Sequence, residues 1–265
     1  MRVALVQHDI IWENPGANFL KLAPMINTAA STGSRFIILP EMFATGFTMN
    51  SRSVAEPIDG QCATFLATMA ATHGCYVGGT FACARSPSLP LGGLSNASQE
   101  ALPTNTFLVA APDGTHTRYD KLHPFSYARE HEAYAAGRST STMTIDDVRV
   151  SLFVCYDLRF ANVMWDLAEH TDLYVFPSNW PDSRRHHWKS LLVARAIENQ
   201  AYVAGVNRVG THGSLTYVGD SMIVDPQGEV LAHASDRETI VYADVDSNVV
   251  ARTRASFPFL QDRRI

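Results

Sequence analysis

Hydrophobic and polar positions switch period along the chain, alternating between short apolar runs and helical spacing. Val3–Val6 is an apolar run; Phe19, Leu22, Ile26 and Ala29 then recur at helical intervals, closed by Gly33. Phe36–Leu39 reads as a strand stopped by Pro40, Phe65, Met69 and Ala70 as a helix ended by Gly74, and Tyr76–Phe81 as the next strand. Asn105–Ala110 and Thr115–Lys121 predict a strand pair across Pro112-Asp113-Gly114. Val148–Cys155, crowded with β-branched and aromatic residues, gives the clearest strand pattern. After it come a helix over Ala161–His170, a strand over Leu173–Phe176, a helix over His187–Gln200 and a strand over Tyr202–Asn207. A late hairpin turns at Asp225-Pro226-Gln227-Gly228, and Ile240–Val245 is the last strand.

Apolar strands divided by helices predict an α/β fold with sheets covered by helices, and the hairpins argue against one all-parallel sheet. Residues 86–103, rich in Ser, Pro, Gly and Leu, read as a surface loop, since strand patterns continue on both sides. With no internal repeat, residues 1–265 read as a single domain.

Charge and composition narrow the function. The net charge is −5 with no basic block, which argues against a nucleic-acid partner. No apolar run approaches the ~18 residues that a membrane span needs, and the N-terminus lacks the apolar stretch of a signal peptide, so a cytoplasmic protein is expected. Cys62, Cys75, Cys83 and Cys155 form no C-x-x-C pair, and reduced thiols are expected rather than a disulfide framework. The sequon Asn96-Ala97-Ser98 is then a chance match. Nucleotide-binding glycine motifs and the G-x-S-x-G elbow are absent. His131-Glu132 starts like a zinc-protease helix but lacks the second His, and His186-His187 reads as a helix start, so neither a metal nor a cofactor is expected.

What remains is a set of reactive residues placed just after predicted strands. Glu41 follows Phe36–Pro40, Lys121 follows Thr117–Asp120, and Cys155 follows Ser151–Val154. Each alone is an ordinary loop start or a buried thiol. Strand ends are nevertheless where α/β sheets gather catalytic groups, because neighbouring loops converge there.

Together, Leu39-Pro40-Glu41-Met42-Phe43, Tyr119-Asp120-Lys121-Leu122-His123 and Val154-Cys155-Tyr156-Asp157-Leu158-Arg159-Phe160 resemble the nitrilase superfamily of carbon–nitrogen hydrolases. Ser178-Asn179-Trp180-Pro181, Arg184, Leu191–Gly210, Gly219-Asp220-Ser221, Phe43–Phe47 and Tyr134–Gly137 are similar to its omega-amidase branch, whose bacterial members hydrolyse 2-oxoglutaramate. Pro124 and His212 depart from that branch's pattern and could alter the pocket rim. The resemblance implies a four-layer α-β-β-α sandwich, a homodimer formed through one helical layer, and a small-molecule amide substrate.

The resemblance also implies roles. Cys155 would be the nucleophile, Lys121 a support for the thiolate and the oxyanion, and Glu41 the proton carrier. The backbone N–H of Tyr156 would join Lys121 at the oxyanion. Glu130 is favoured over Glu132 as the further glutamate that orients Lys121 or the substrate amide. Arg184, or else Arg159, would grip a distal carboxylate, although Arg159 could instead pair with Asp157 or a helix end as scaffold. Phe43 and Trp180 are candidate pocket walls, and Arg195 with Glu198 a structural ion pair. An N-carbamoyl amide hydrolase, a nitrilase and a non-catalytic binding member of the fold stay open as alternatives.

Overall fold

A computed structural model describes residues 1–85 and 102–264, so the sequon and nearly all of the expected 86–103 loop lie outside the described residues. One sheet holds Arg2–Gln7 (β1), Phe36–Ile38 (β2), Tyr76–Cys83 (β3), Thr104–Ala110 (β4), His116–Asp120 (β5) and, from the far end of the chain, Thr239–Asp244 (β13). Their order is β13-β1-β2-β3-β4-β5, with β1, β2 and β3 parallel and the outer pairings antiparallel. The second sheet holds Ser141–Ile145 (β6), Val148–Leu152 (β7), Leu173–Ser178 (β8), Tyr202–Asn207 (β9), Val209–His212 (β10), Leu215–Val224 (β11) and Val230–Ser235 (β12). Its order is β10-β11-β9-β8-β7-β6, with β12 also on β11; β7, β8 and β9 are parallel.

The two-residue alternation of each strand divides the first sheet's faces between two cores. Val3, Leu5, Phe36, Ile38, Phe107 and Val109 point into a core shared with Val148, Val150 and Leu152 of the second sheet. Their neighbours Ala4, Val6, Ile37, Leu108 and Ala110 point the other way, onto Leu22 and Ile26 of the helix Pro15–Ser31 and Leu66 and Ala70 of the helix Gln61–His73. Beyond the second sheet, Trp188, Leu192 and Ala196 of the helix Arg185–Asn199 join its core, with the helix Ala161–Leu167 alongside. The helix Arg185–Asn199 lies so close to β9 that a Cβ on Gly205 would sit 2.7 Å from both Leu192 and Trp188 side chains. The result is the expected α-β-β-α sandwich. Each fully buried Leu or Ile contributes about 1.5–3 kcal/mol, so this double core carries most of the stability.

The differences from the sequence pattern are local. The strand expected over Val148–Cys155 ends at Leu152, because Asp157 draws the chain into a 3₁₀ turn over Cys155–Arg159. The helix expected to reach His170 stops at Leu167 and continues as a 3₁₀ turn. β6, β10 and the helix Ser247–Ser256 carry too few buried apolar residues to stand out in the pattern.

Candidate active site

Glu41, Lys121 and Cys155, beyond the ends of strands from both sheets, and Glu130, on a helical turn, meet at one point. Leu39-Pro40 ends β2 and delivers Glu41; the next residue, Met42, has φ 49° and is held by its N–H on Thr80 Oγ1 at 2.8 Å. Lys121 follows β5, with its N–H on Asn105 O at 3.0 Å and its carbonyl accepting from Gly137 N at 2.8 Å. A Cβ on Gly137 would stand 2.0 Å from Asp120 O, so only glycine allows that approach. Glu130 opens a single helical turn after Arg129, whose φ is 61°. Cys155 has φ 44°, a left-handed conformation that costs a non-glycine residue about 1–3 kcal/mol unless its surroundings fix it.

Asp157 does the fixing. One carboxylate oxygen accepts from Val154 N at 3.0 Å and Tyr119 Oη at 2.8 Å. The other accepts from His123 N at 2.9 Å and contacts His123 Nδ1 at 2.7 Å. Buried Asp157 therefore ties the turn carrying Cys155 to the loop carrying Lys121.

Lys121 Nζ lies 2.8 Å from Glu41 Oε1 and 2.9 and 3.1 Å from the two Glu130 oxygens. Asn105 Nδ2 donates to both glutamates, and Phe125 N donates to Glu130 Oε2 at 2.5 Å. Asn179 N donates to Glu41 Oε2 at 2.9 Å, and its side-chain nitrogen donates to the Glu41 carbonyl. Glu41 and Lys121 are 1% exposed, Glu130 0% and Cys155 8%.

Burial favours a neutral Lys121, but Glu130 and Glu41 outweigh it and hold the ammonium's pKa well above its usual value. Burial also raises Glu130, against the pull of Lys121. For Cys155, burial and then the charge of Glu41 push the thiol well above its ordinary range, while Lys121 and the Asn179 N–H pull it down without prevailing. Two carboxylates facing one ammonium favour the thiol of Cys155 over its thiolate. Lys121 acts on the thiol in the direction that favours the thiolate, against burial and Glu41.

Above this cluster opens a pocket of about 320 Å³. Tyr156, Arg159, Trp180 and Arg184 line it with Lys121 and Cys155, and Phe47, Phe125, Tyr127, Asn179 and Tyr217 complete much of its wall. Arg159 lies over the Trp180 ring at 4.7 Å and donates to His187 Nδ1 at 3.2 Å. Arg184 lies over Phe125 at 5.5 Å and Tyr127 at 5.9 Å, and its carbonyl accepts from Trp180 Nε1 at 2.8 Å.

Comparison with known proteins agrees with this architecture. The carbon-nitrogen hydrolase family model matches residues 2–255. The chain belongs to the carbon-nitrogen hydrolase family. This hydrolase is 34% identical to omega-amidase YafV of Escherichia coli K12, over 99% of this chain and 96% of that one. It is 32% identical to 2-oxoglutaramate amidase of Bacillus subtilis, over 99% of this chain and 97% of the other. The crystal structure of XC1258 from Xanthomonas campestris, a CN-hydrolase superfamily protein with an arsenic adduct in its active site, superposes with a TM-score of 0.90 at 34% identity, covering 100% of this chain and 97% of that one.

In this hydrolase Phe43 is not a pocket wall. It packs against Phe19 and Phe65 in the helix-side core, 2.6 Å from where a Cβ on Gly79 would be, and Phe47 takes the place expected of it. Arg159 does not pair with Asp157, whose oxygens are occupied by Tyr119, His123 and Val154. Glu132 is exposed and paired with Arg129, so Glu130 alone of the two faces Lys121. Arg195 and Glu198 do pair, at 2.9 Å. Asn105 and Tyr217 carry no signal in the sequence, since a buried Asn or Tyr in a strand reads as packing. Asn179 lies in the family-like run Ser178-Asn179-Trp180-Pro181, but nothing there signals that its backbone N–H serves Glu41. Among the described residues, no group of three His, Cys, Asp or Glu side chains is placed to hold a metal ion, and no helix is long and apolar enough to cross a membrane.

Proposed function

We propose that this hydrolase is an ω-amidase that cleaves the terminal amide of a small 2-oxo acid such as 2-oxoglutaramate, giving the dicarboxylate and ammonia. The observation that carries this reading is the charge of the pocket. Its charged lining residues are Lys121, Arg159 and Arg184, and among the described residues no Asp or Glu lines it; Lys121 is engaged by Glu41 and Glu130 below, so the two arginines set the charge of the rim. A cationic pocket suits a substrate bearing a carboxylate beyond the scissile amide, and the names of the two relatives support the same choice.

In this reading Glu41 takes the Cys155 proton as sulfur attacks the amide carbon, and the oxyanion is received by Lys121 and the Tyr156 N–H. Glu41 returns the proton to the nitrogen, the C–N bond breaks, and ammonia leaves a thioester. Water, deprotonated by Glu41, then attacks the thioester; the acid departs and sulfur recovers its proton. Glu130 keeps Lys121 charged and oriented. Arg184, and after it Arg159, holds the distal carboxylate against the Trp180 wall.

The reading extends to the whole chain as a single cytoplasmic domain, supported by the shared core between the sheets and by four free cysteines. It also includes a homodimer through the outer helical layer, supported by exposed Ile197 and Phe257 there and tested by light scattering at micromolar concentration. The test of function is ammonia release from 2-oxoglutaramate, N-carbamoyl-β-alanine and a simple nitrile. Preference for 2-oxoglutaramate is expected; preference for the carbamoyl compound or the nitrile would replace this reading, and no release from any would favour a binding protein.

A further inference from the structure

Asn105 lies in the middle of the proposed machinery without lining the pocket. It sits in β4, where every residue is buried. Its amide nitrogen donates to Glu41 Oε1 at 2.8 Å and to Glu130 Oε1 at 3.1 Å. An amide nitrogen carries two hydrogens, so one goes to each carboxylate. The amide oxygen is buried and has no partner among the described residues, and in the nitrogen's place it would oppose two carboxylate oxygens.

The same two glutamate oxygens receive Lys121 at 2.8 and 3.1 Å. Two buried carboxylates thus share one cation and one neutral amide. Like charges this close favour protonating one of them, and a protonated Glu41 could not accept the Cys155 proton. A primary amide stabilises both anions and neither gives nor takes a proton at working pH. The backbone of Asn105 adds a second restraint, since its carbonyl accepts from Lys121 N at 3.0 Å.

We propose that Asn105 is a positioning residue that bridges Glu41 and Glu130, keeping Glu41 ionised and aimed at Cys155. The proposal rests on Glu41 serving as the base. The other titratable groups facing this cluster are Lys121 at the end of β5, Glu130 and Tyr134 from the helical turn, Cys155 after β7, and Tyr217 on β11. Burial raises both phenols, Tyr217 to about 12, so neither titrates in the working range of the enzyme.

The experiment measures kcat and kcat/KM for 2-oxoglutaramate from pH 4 to 9 in wild type, Asn105→Leu, Asn105→Ser and Glu41→Gln, with folding checked by circular dichroism. Losing a donor to a carboxylate raises its pKa, so activity should fall away at a higher pH on the acid side. In Asn105→Leu, which keeps the volume and no donor, the acid limb should move up by about one pH unit, kcat should fall roughly 10- to 100-fold, and KM should stay near wild type. Asn105→Ser keeps one donor and should shift the limb the same way by less; if the leucine variant does not fold, the serine variant decides. An acid limb at the wild-type pH in a folded variant, or a loss confined to KM, overturns the proposal. Full activity in Glu41→Gln would instead refute Glu41 as the base, a result distinguishable from failure of the Asn105 bridge.

Discussion

The floor and the rim of the pocket are built on opposite principles. On the floor, Glu41, Lys121, Glu130 and Asn105 are buried, and each side chain makes at least two hydrogen bonds within 3.1 Å. At the rim, Arg159 and Arg184 are half-buried and lie on aromatic faces, with no ion pair to a carboxylate among the described residues, and Tyr127 is 83% exposed. A group held by many short contacts in a dry site cannot move without leaving a charge unpaired, which suits the timing of proton transfers. A guanidinium on a ring has its hydrogen-bond donors free and loses little by turning to a carboxylate. On the proposed reading the floor does the chemistry and the rim the choosing, so substitutions in the two regions should fail in different ways.

The largest effect belongs to the floor. Cys155→Ser should lower kcat by orders of magnitude with Tm nearly unchanged, because serine is a far weaker nucleophile beside a carboxylate and a lysine. Residual activity within tenfold of wild type would remove Cys155 from the chemistry. Next, Lys121→Met should cost at least the ~10²–10³ in kcat typical of a lost oxyanion donor, and should also lower Tm, because two buried carboxylates lose their cation. Lys121→Arg should not rescue it, since a planar fork does not fit between Glu41 and Glu130.

The rim should fail selectively. Arg184→Met should reduce kcat/KM for anionic ω-amides by about 10- to 150-fold, the worth of a charge-assisted bidentate contact, and leave a neutral amide of equal length nearly unaffected. Arg159→Met should show the same pattern more weakly, because Arg159 already donates to His187. Equal losses on both substrates would make the arginines scaffold and erase the contrast with the floor.

A smaller effect separates Cys155 from the other thiols. Burial raises Cys62, Cys75 and Cys83 as it does Cys155, but of the four only Cys155 lines the pocket. Iodoacetamide should therefore label Cys155 first. Because its thiol is pushed well above the usual range, inactivation of the free enzyme should keep accelerating as pH rises past 9, with no plateau near neutrality. A plateau near pH 7 would mean a resting thiolate and contradict the negative floor.

Much of this is legible in the amino-acid sequence. Apolar runs at Val3–Val6, Phe36–Leu39 and Tyr202–Asn207 mark strands because both faces of each sheet are covered, so nothing polar interrupts them. Glu41, Lys121 and Cys155 could be named because each follows a predicted strand within a family-like motif, and Glu130 because its spacing to Gly137 matches the family's pattern. What escaped is set by tertiary contact. β6 alternates exposed and half-buried residues, so no apolar run marks it. Phe43 and Phe47 stand four positions apart in one aromatic loop, and only the chain reversal at Met42 and Gly46 sends one to the core and the other to the pocket. Asn105 looks like a polar interruption of a strand until Glu41 and Glu130, distant in sequence, arrive at its amide.

The account's central claim is that a negative, proton-handling floor works beneath a cationic, selecting rim. Its most direct test is the ratio of kcat/KM for 2-oxoglutaramate to that for a neutral amide of equal length, measured side by side on the wild-type enzyme at neutral pH. The account predicts a preference for the anion of about 10- to 150-fold. A ratio near one, or a preference for the neutral amide, would contradict it.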